Sequence, residues 1–293
     1  MEDTQKQDKL PPIKYTKRVG HLFEHVRDID NLKEAIKDAA RHKRKRKEVQ
    51  KVLEDIDGHA LELQRMLDEE AFIPAKYTMR RINDGIQKKT RDIAIPRFWP
   101  DQCVHHAFVR IFKQIVLHSA YPFSCGCVPG KGTHGAKTAI EKWIRKDPKH
   151  TKYVLKLDVR KCYPTMNHEE LRKKLQRRIK DKKFLRLADR IIASFQQPMA
   201  THERLLPETD AVGIPVGLFT SPWFCNFFFQ DIDHKVAEKT GAAHAMVSYI
   251  GYIVNSDSQH FYEKWVRPFV NIKHLKGVIA DEDRKQHQAC VAV

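Results

Sequence analysis

Apolar residues recur at intervals of three and four positions in the N-terminal third of the chain, as they do along one face of an amphipathic helix. The first run spans Leu22 to Asp38, and the second spans about Lys47 to Glu70. Phe72-Ile73-Pro74 ends the second run, because proline disfavours helical backbone at the residue before it. A third helix is predicted from Gln102 to Leu117. This part of the chain is therefore predicted to be mainly helical.

Strand patterns follow, and one of them carries an acidic residue near its end. Arg91 to Pro96 alternates as a strand does, and Tyr153 to Val159 is predicted to be a short buried strand that contains Asp158. After a turn broken by Pro164, a helix is expected to open at Asn167, with acidic residues in its first turn. An aspartate in this position is often only a cap or turn residue, so its surroundings must decide its role.

The last predicted elements are an apolar helix and a hairpin. A glycine-flanked turn, Gly213 to Gly217, leads into an apolar helix that ends near His234, and Ala245 to Val254 is predicted to be a β-hairpin with Gly251 near its turn. The predicted order is helices, strand with an aspartate, helix, turn, helix and hairpin. This order indicates an α+β fold, with a mixed core behind an N-terminal helical region.

The net charge of the chain indicates a class of binding partner. The 293 residues include 54 Lys and Arg against 37 Asp and Glu, a net charge of +17, in a composition that excludes collagen-like, low-complexity and largely disordered proteins. The excess favours a polyanionic partner, and a solubilising surface is the alternative. Its densest run includes Lys43, Arg44, Lys45, Arg46 and Lys47 at the start of a helical pattern. A basic cluster on an ordered helix favours nucleic acid.

The cysteines and the apolar stretches indicate the cellular compartment and whether zinc is bound. The six cysteines are scattered, which suits a reducing compartment. Cys125 and Cys127 invite a zinc interpretation, but one residue separates them and no second pair stands at ligand spacing, so ordinary thiols are favoured. No apolar stretch approaches the roughly 18 residues of a membrane span, and Met1 to Lys14 lacks the apolar core of a signal peptide. The protein is expected to be cytoplasmic, without a membrane partner.

Several further motifs occur in a fixed order along the chain. They are Lys88 to Ile93, Pro96 to Asp101, Val104 to Ala107, Tyr121 to Gly126 and Gly130 to Gly135. Together with the strand that carries Asp158, they resemble reverse transcriptases, specifically the bacterial retron-like and diversity-generating-retroelement group. The resemblance covers roughly residues 20 to 250.

The resemblance implies the fingers and palm of a right-hand polymerase, an α+β fold with an N-terminal helical region and a truncated or unrecognisable thumb. The expected division is a basic helical region at 1–85, fingers and palm at 86–255, and a short divergent tail at 256–293. RNA template and primer, or a structured RNA, and dNTP are the implied partners, with a possible accessory protein. The implied cofactor is Mg²⁺ or Mn²⁺, if the protein is active.

The resemblance also assigns roles to residues. Asp158 matches the first metal-binding aspartate, with the backbone carbonyl of Val159 as a further ligand. Tyr163 matches an aromatic that excludes ribonucleotides at the sugar 2′ position, although a core aromatic is equally compatible with the pattern. Lys89 and Arg91 match basic residues near the incoming triphosphate.

Two glycine-containing segments receive roles of their own. The segment with Lys131 does not match a Walker A loop, whose spacing and Ser or Thr it lacks, and the resemblance places it against template. Val216-Gly217 stands where the family commonly has Gln-Gly, in the nucleotide site. An aliphatic residue is typical of the diversity-generating group, whereas Pro222 departs from it. Loss of the glutamine amide is expected to relax discrimination between nucleotides.

One departure changes the expected activity. The family's second metal-binding element is Tyr-x-Asp-Asp, and the matching segment is Tyr249-Ile250-Gly251-Tyr252, which lacks both carboxylates. Neither Asp257 nor Asp233 is expected to replace them, and residues 253–293 are too few for the rest of a palm together with a helical thumb. A frameshifted or truncated C-terminus, or a lineage that abandoned polymerisation, would explain both losses.

Two functions therefore remain open. The first is an RNA-directed DNA polymerase, a nucleotidyltransferase, that binds RNA or primer-template but is weak or inactive. The second is a catalytically inactive RNA-binding or scaffold protein derived from a reverse transcriptase. Retroelement mobility, sequence diversification and phage defence are all compatible with the resemblance.

Overall fold

The computed structural model describes residues 12–84, 89–146, 154–159, 162–195, 211–239, 245–248, 251–254, 275–280 and 289–292. The helices are α1 (Leu22–Arg27), α2 (Ile29–Ala39), α3 (Lys47–Glu54), α4 (Ile56–Asp68), α5 (Cys103–Ser119), α6 (Gly132–Lys146), α7 (His168–Arg178), α8 (Lys182–Ala193) and α9 (Ser221–Lys239). The strands are β1 (Thr78–Asp84), β2 (Lys89–Ile95), β3 (Val154–Val159), β4 (Ala245–Ser248), β5 (Gly251–Val254), β6 (Leu275–Ala280) and β7 (Ala289–Ala292). The predicted α+β class is confirmed.

Both long N-terminal helices predicted from the sequence are divided in two, and an aspartate causes each break. Asp28 adopts non-helical backbone (φ −57°, ψ 135°), and its carboxylate accepts a hydrogen bond from the Asn31 amide at 3.1 Å. Asp55 separates α3 from α4 and accepts from the Gly58 amide at 2.8 Å. Aspartate favours N-caps because its carboxylate satisfies amides that a helix start leaves unpaired. The apolar spacing continues across both caps, so the periodicity alone did not show them.

The chain divides into two compact units. The first takes Met1–His118, His168–Phe195 and Val216–Thr220, and the second takes Ser119–Asn167, Gln196–Pro215 and Ser221–Val293. The three-part division predicted from the sequence stays a prediction. Among the described residues, no helix is long and apolar enough to cross a membrane.

The core of the first unit is built on α5. Its Phe108 ring stacks on Phe184 of α8 at a centroid distance of 4.8 Å, and Phe108 and Phe112 are 5.3 Å apart. All three rings are buried. Buried aromatic pairs stabilise a core through their large apolar area and their ring geometry. Distant parts of the sequence are thereby joined in one unit.

Asp181 fixes the start of two helices in this unit. Its Oδ2 atom accepts hydrogen bonds from the Leu22 and Phe23 amides, both at 2.8 Å. Its Oδ1 atom accepts from the Phe184 amide at 3.1 Å and so caps α8. One carboxylate therefore satisfies three amides and ties α1 to α8.

The second unit contains an antiparallel sheet in the strand order β4-β5-β3-β6-β7. The predicted hairpin is present as β4 and β5, with Ser248 paired to Gly251. β6 and β7 lie within the range 256–293, which was predicted to be a short divergent tail, and β6 pairs with the whole of β3. β7 has only four residues and β6 contains Gly277, so neither gives a strong strand pattern. The strand that contains Asp158 therefore lies in the middle of the sheet.

Candidate functional site

The sheet register brings together the two segments on which the predicted metal site depends. β3 ends with Asp158 and Val159, and Leu157 pairs with Tyr252 of β5. The segment Gly251-Tyr252 therefore lies against the end of β3 that carries Asp158. On the other side of β3, Asp158 pairs with Lys276. The residues next to Asp158 in the sheet are thus glycine, tyrosine and lysine.

Tyr163 follows β3 in a turn that is pinned to the segment before Val216. Its carbonyl oxygen accepts a hydrogen bond from the Ile214 amide at 2.9 Å, and Gly213 donates to the Met166 carbonyl oxygen at the same distance. Burial, together with nearby cysteine thiols, raises the pKa of Tyr163, so its hydroxyl stays protonated. The turn that carries Tyr163 is thus ordered by backbone hydrogen bonds, and its role at the sugar 2′ position stays a prediction.

Two thiols lie beside Tyr163. The Sγ atoms of Cys162 and Cys225 are 3.3 Å apart, and Cys225 is buried in α9. The hydrogen bond with Cys162, together with burial, raises the pKa of Cys225. The sequence did not indicate this pair, because 62 residues separate its members and no spacing motif links them.

Val216 and Gly217 lie in the first unit, against β2. The Ala94 amide donates to the Val216 carbonyl oxygen at 2.8 Å. Gly217 has φ +111°, and a Cβ atom there would lie 2.3 Å from Ile93 Cγ2 and 2.8 Å from the Ala94 carbonyl oxygen. Only glycine fits this backbone conformation and this close approach. Whatever its part in nucleotide binding, Gly217 has a structural role that the sequence did not reveal.

The two basic residues predicted to bind triphosphate also belong to the β1–β2 hairpin. Arg91 is exposed and pairs with Ile82 across the hairpin, and Lys89 begins β2 opposite Asp84. An exposed ion pair, from Arg81 Nε to Asp92 Oδ1 at 2.8 Å, crosses the same hairpin. The hairpin thus carries basic residues on an ordered support.

The sequence predicted the basic run Lys43 to Lys47 at the start of a helix. The run lies mostly in the turns between α2 and α3, and only Lys47 of the run is helical. The half-buried Lys43 ammonium donates to the Ala39 carbonyl oxygen at 3.1 Å and to Gln102 Oε1. Burial lowers the pKa of Lys43. Its contacts hold the turn, whereas Arg44, Lys45, Arg46 and Lys47 are exposed.

Lys131 also makes a local contact, because its ammonium donates to the Pro122 carbonyl oxygen at 2.6 Å. It directly precedes α6. Asp233, considered above as a replacement metal ligand, is buried in α9 and accepts from Ser124 Oγ at 3.1 Å. Asp257 lies outside the described residues.

Comparison with known proteins decides the family. A model of the family described as "Reverse transcriptase (RNA-dependent DNA polymerase)" matches residues 83–254, more than half of the chain. The chain belongs to the reverse transcriptase family. The resemblance inferred from the sequence is confirmed at this level, and the retron-like or diversity-generating subgroup stays a prediction.

The individual relatives compared with this reverse transcriptase family member are 10% to 29% identical to it. The putative COX1/OXI3 intron 2 protein of Saccharomyces cerevisiae is 29% identical over 142 residues, which are 48% of this chain and 16% of that protein. Apo telomerase from Candida tropicalis, truncated from its C-terminal domain, is 10% identical with a TM-score of 0.45, over 77% of this chain and 56% of that chain. Telomerase from Candida albicans in complex with a telomeric RNA fragment is 11% identical with a TM-score of 0.43, over 73% and 42%.

The family implies a pair of divalent ions held between carboxylates. The described residues at this end of β3 do not fit such a pair. Asp158 would supply one carboxylate and Val159 one carbonyl, while Gly251, Tyr252 and Lys276 occupy the neighbouring register positions. None of these three side chains is an anionic ligand, and a lysine opposes cation binding. Among the side chains that the structure describes, no three His, Cys, Asp or Glu come together as a possible metal site.

Proposed function

We propose that this member of the reverse transcriptase family binds RNA or primer-template and that its RNA-directed DNA synthesis is weak or absent. The observation that carries the proposal is the sheet register, in which Gly251-Tyr252 lies beside the strand end that bears Asp158. No acidic residue occurs from Ala245 to Val254, so a slip of a few residues in this pairing would not bring a carboxylate to that place. The pairing supports the alignment in which the two family carboxylates are missing.

The parts that would bind nucleic acid and nucleotide are retained. The β1–β2 hairpin presents Arg91, the loop before α3 presents Arg44 and Lys45, and the Tyr163 turn is pinned to residues 213–214. Positive charge supplies most of the sequence-independent affinity for a polyanion, because phosphate contacts release condensed counterions. Loss of metal ligands leaves this electrostatic contribution to the affinity unchanged. Binding without efficient synthesis is therefore the combination that the residues favour.

Finer aspects of the function belong to the same proposal. Mg²⁺ or Mn²⁺ and dNTP are needed only if some synthesis remains, and an accessory protein would add what the chain lacks. A cytoplasmic location and a role in a retroelement or in phage defence suit the composition and the sequence resemblance. A purely structural RNA scaffold is the second candidate, and it is favoured by Lys276 beside Asp158.

Primer extension tests the proposal. The full chain is mixed with an RNA template, a DNA primer and dNTP, with Mg²⁺ or Mn²⁺, and binding of the same primer-template is measured in parallel by fluorescence anisotropy. We expect binding that weakens steeply with salt and little or no extended primer. Extension that is abolished by Asp158→Ala would refute the impairment, and affinity that does not change with salt would refute phosphate recognition.

The companion variant restores both carboxylates, Gly251→Asp with Tyr252→Asp. Gain of extension in this variant would show that the missing ligands limit the chain. A matched control carries Tyr252→Phe, which removes the hydroxyl without adding charge and should stay inactive. Equal activity of the control and the restored variant would show that charge at these positions is irrelevant.

A further inference from the structure

A second basic surface, apart from the predicted nucleic-acid residues, lies where the segment before α1 meets the end of α7. Val19 forms a parallel bridge with Ile179, in which the Val19 amide donates to the Arg178 carbonyl oxygen and the Lys180 amide donates to the Val19 carbonyl oxygen, both at 2.8 Å. The Arg18 guanidinium also donates to the Ile179 carbonyl oxygen at 3.3 Å. We call the surrounding cations the bridge patch: Lys17, Arg18, Arg177, Arg178, Lys180 and Lys182.

Neighbouring cations on α7 and α8 are neutralised, whereas the bridge patch is not. Lys173 contacts Glu169 at 2.8 Å and Glu170 at 3.1 Å, and Arg186 contacts Glu70 at 2.8 Å. Within the described ranges, no carboxylate lies at ion-pair distance from a member of the bridge patch.

Asp181 stands in the middle of the bridge patch along the sequence, but its carboxylate is committed to backbone amides. It accepts from the amides of Leu22, Phe23 and Phe184. The acid therefore serves the helix starts and forms no ion pair with its lysine neighbours. With six cations and this one carboxylate, the bridge patch keeps a net positive charge, which is the property that phosphate recognition requires.

An aromatic pair adjoins the patch. Tyr15, 40% exposed, stacks on His118 with ring centroids 3.9 Å apart and an interplanar angle of 3°. The Arg178 guanidinium donates to His118 Nδ1 at 3.4 Å, which connects the stack to the bridge patch. Phosphate-binding cations beside a stacked aromatic are the combination by which proteins hold single-stranded nucleic acid without reading its sequence.

We propose that the bridge patch and Tyr15 bind a single-stranded RNA segment, with phosphates on the cations and a base against the aromatic pair. The proposal deepens the proposed RNA binding and rests on it. Acidic protein surfaces also bind cations, but they offer no base to stack on Tyr15. The exposed aromatic therefore favours RNA.

The test replaces three charged side chains of the bridge patch with uncharged ones. Lys17, Arg177 and Lys182 are exposed, and within the described part of the chain their side chains make no hydrogen bond or ion pair. The triple variant Lys17→Gln, Arg177→Gln, Lys182→Gln should weaken binding of a fluorescent 12-nucleotide oligouridylate about 100-fold at about 0.1 M salt. Each lost phosphate contact on single-stranded nucleic acid removes roughly 0.7 from the slope of log affinity against log salt, so the slope should fall by about 2.

The matched control removes neutralised charges of the same kind. Lys37→Gln with Lys173→Gln takes away two exposed lysines that are paired with Glu34, Glu169 and Glu170. We expect its affinity for the oligouridylate to stay within about twofold of the unmodified chain. Tyr15→Ala should weaken binding about 5-fold or more, while Tyr15→Phe should retain it, because base stacking needs the ring and not the hydroxyl.

Three results would overturn the inference. Unchanged affinity in the triple variant would do so while leaving the proposed function intact, since the unmodified chain would still bind RNA. Equal competition by an oligoglutamate of the same charge would assign the patch to acidic protein surfaces. Failure of the unmodified chain to bind either oligouridylate or primer-template would contradict the proposed function as well.

Discussion

Gly217→Ala is the sharpest test of how the first unit is built. The new Cβ atom would lie 2.3 Å from Ile93 Cγ2 and 2.8 Å from the Ala94 carbonyl oxygen, and the backbone would be held at φ +111°. Contacts that short require Ile93 to move and β2 to shift away from the Val216–Gly217 segment. The hydrogen bond from the Ala94 amide to the Val216 carbonyl oxygen would then lengthen or break.

The expected cost follows from these three effects. Overpacking costs about 1 to 3 kcal/mol, unfavourable backbone about 1 to 3 kcal/mol, and a weakened hydrogen bond about 0.5 to 1.5 kcal/mol. Because one backbone shift can relieve part of each, we expect a total loss of about 2 to 5 kcal/mol. Urea unfolding should report it, and hydrogen exchange should show faster exchange at the Ala94 amide than at other β2 amides.

Two other glycines calibrate the measurement. Gly135 lies in α6, and its added Cβ would lie 3.6 Å from Lys131 Cβ, an ordinary contact, so Gly135→Ala should stabilise by about 0.5 to 1 kcal/mol. Gly130 has φ +77° with open space around it, so Gly130→Ala should show backbone strain alone. A loss at Gly217 no greater than at Gly130 would refute the argument from close approach to β2.

Three further predictions concern pH, capping and oxidation. Burial lowers the pKa of His105 to about 3 and that of His106 to about 4, whereas both have a pKa of about 6.5 in the unfolded chain. The free energy of unfolding should therefore be highest above pH 6.5 and should fall below it by about 1.4 kcal/mol per histidine per pH unit. Urea unfolding between about pH 5 and 7 measures this dependence, and His105→Leu should halve its slope against pH. Asp181→Ala should cost about 2 to 4 kcal/mol in urea unfolding, whereas Asp181→Asn keeps an acceptor and should cost less. Hydrogen peroxide should convert the Cys162 and Cys225 thiols to a disulfide with release of two waters, seen as a loss of about 2 Da that Cys162→Ser prevents.

Much of the fold followed from the sequence because its signals are local. The spacing of apolar residues located α5 to within a residue or two, alternation indicated β2, and short apolar runs beside turns located β3 and the β4–β5 hairpin. Asp28 and Asp55 show where such reasoning fails, since a cap interrupts the backbone without interrupting the apolar periodicity. β6 was missed because its pairing with β3 is a long-range property of the sheet.

The candidate site was only partly predictable for the same reason. Asp158 and Gly251-Tyr252 could be aligned by motif, and the register then placed the segments side by side. Lys276 and the Cys162–Cys225 pair could not be anticipated, because each becomes significant only through a partner distant in sequence. Gly217 was predicted for nucleotide binding, and its tight approach to β2 has no signal in the sequence beyond the glycine itself.

The amides of Leu22 and Phe23 find their acceptor 159 and 158 residues later, in Asp181. At about 5 to 20 residues per second, a ribosome takes roughly 8 to 30 s to deliver that carboxylate after α1 has been synthesised. Throughout this interval α1 can pack against α2 and α4 but lacks α8 and the carboxylate that accepts from its first amides, and closing so long a loop slows the final docking. Nascent chains of this protein thus pass through a long stage in which the start of α1 is uncapped, and slower translation lengthens that stage.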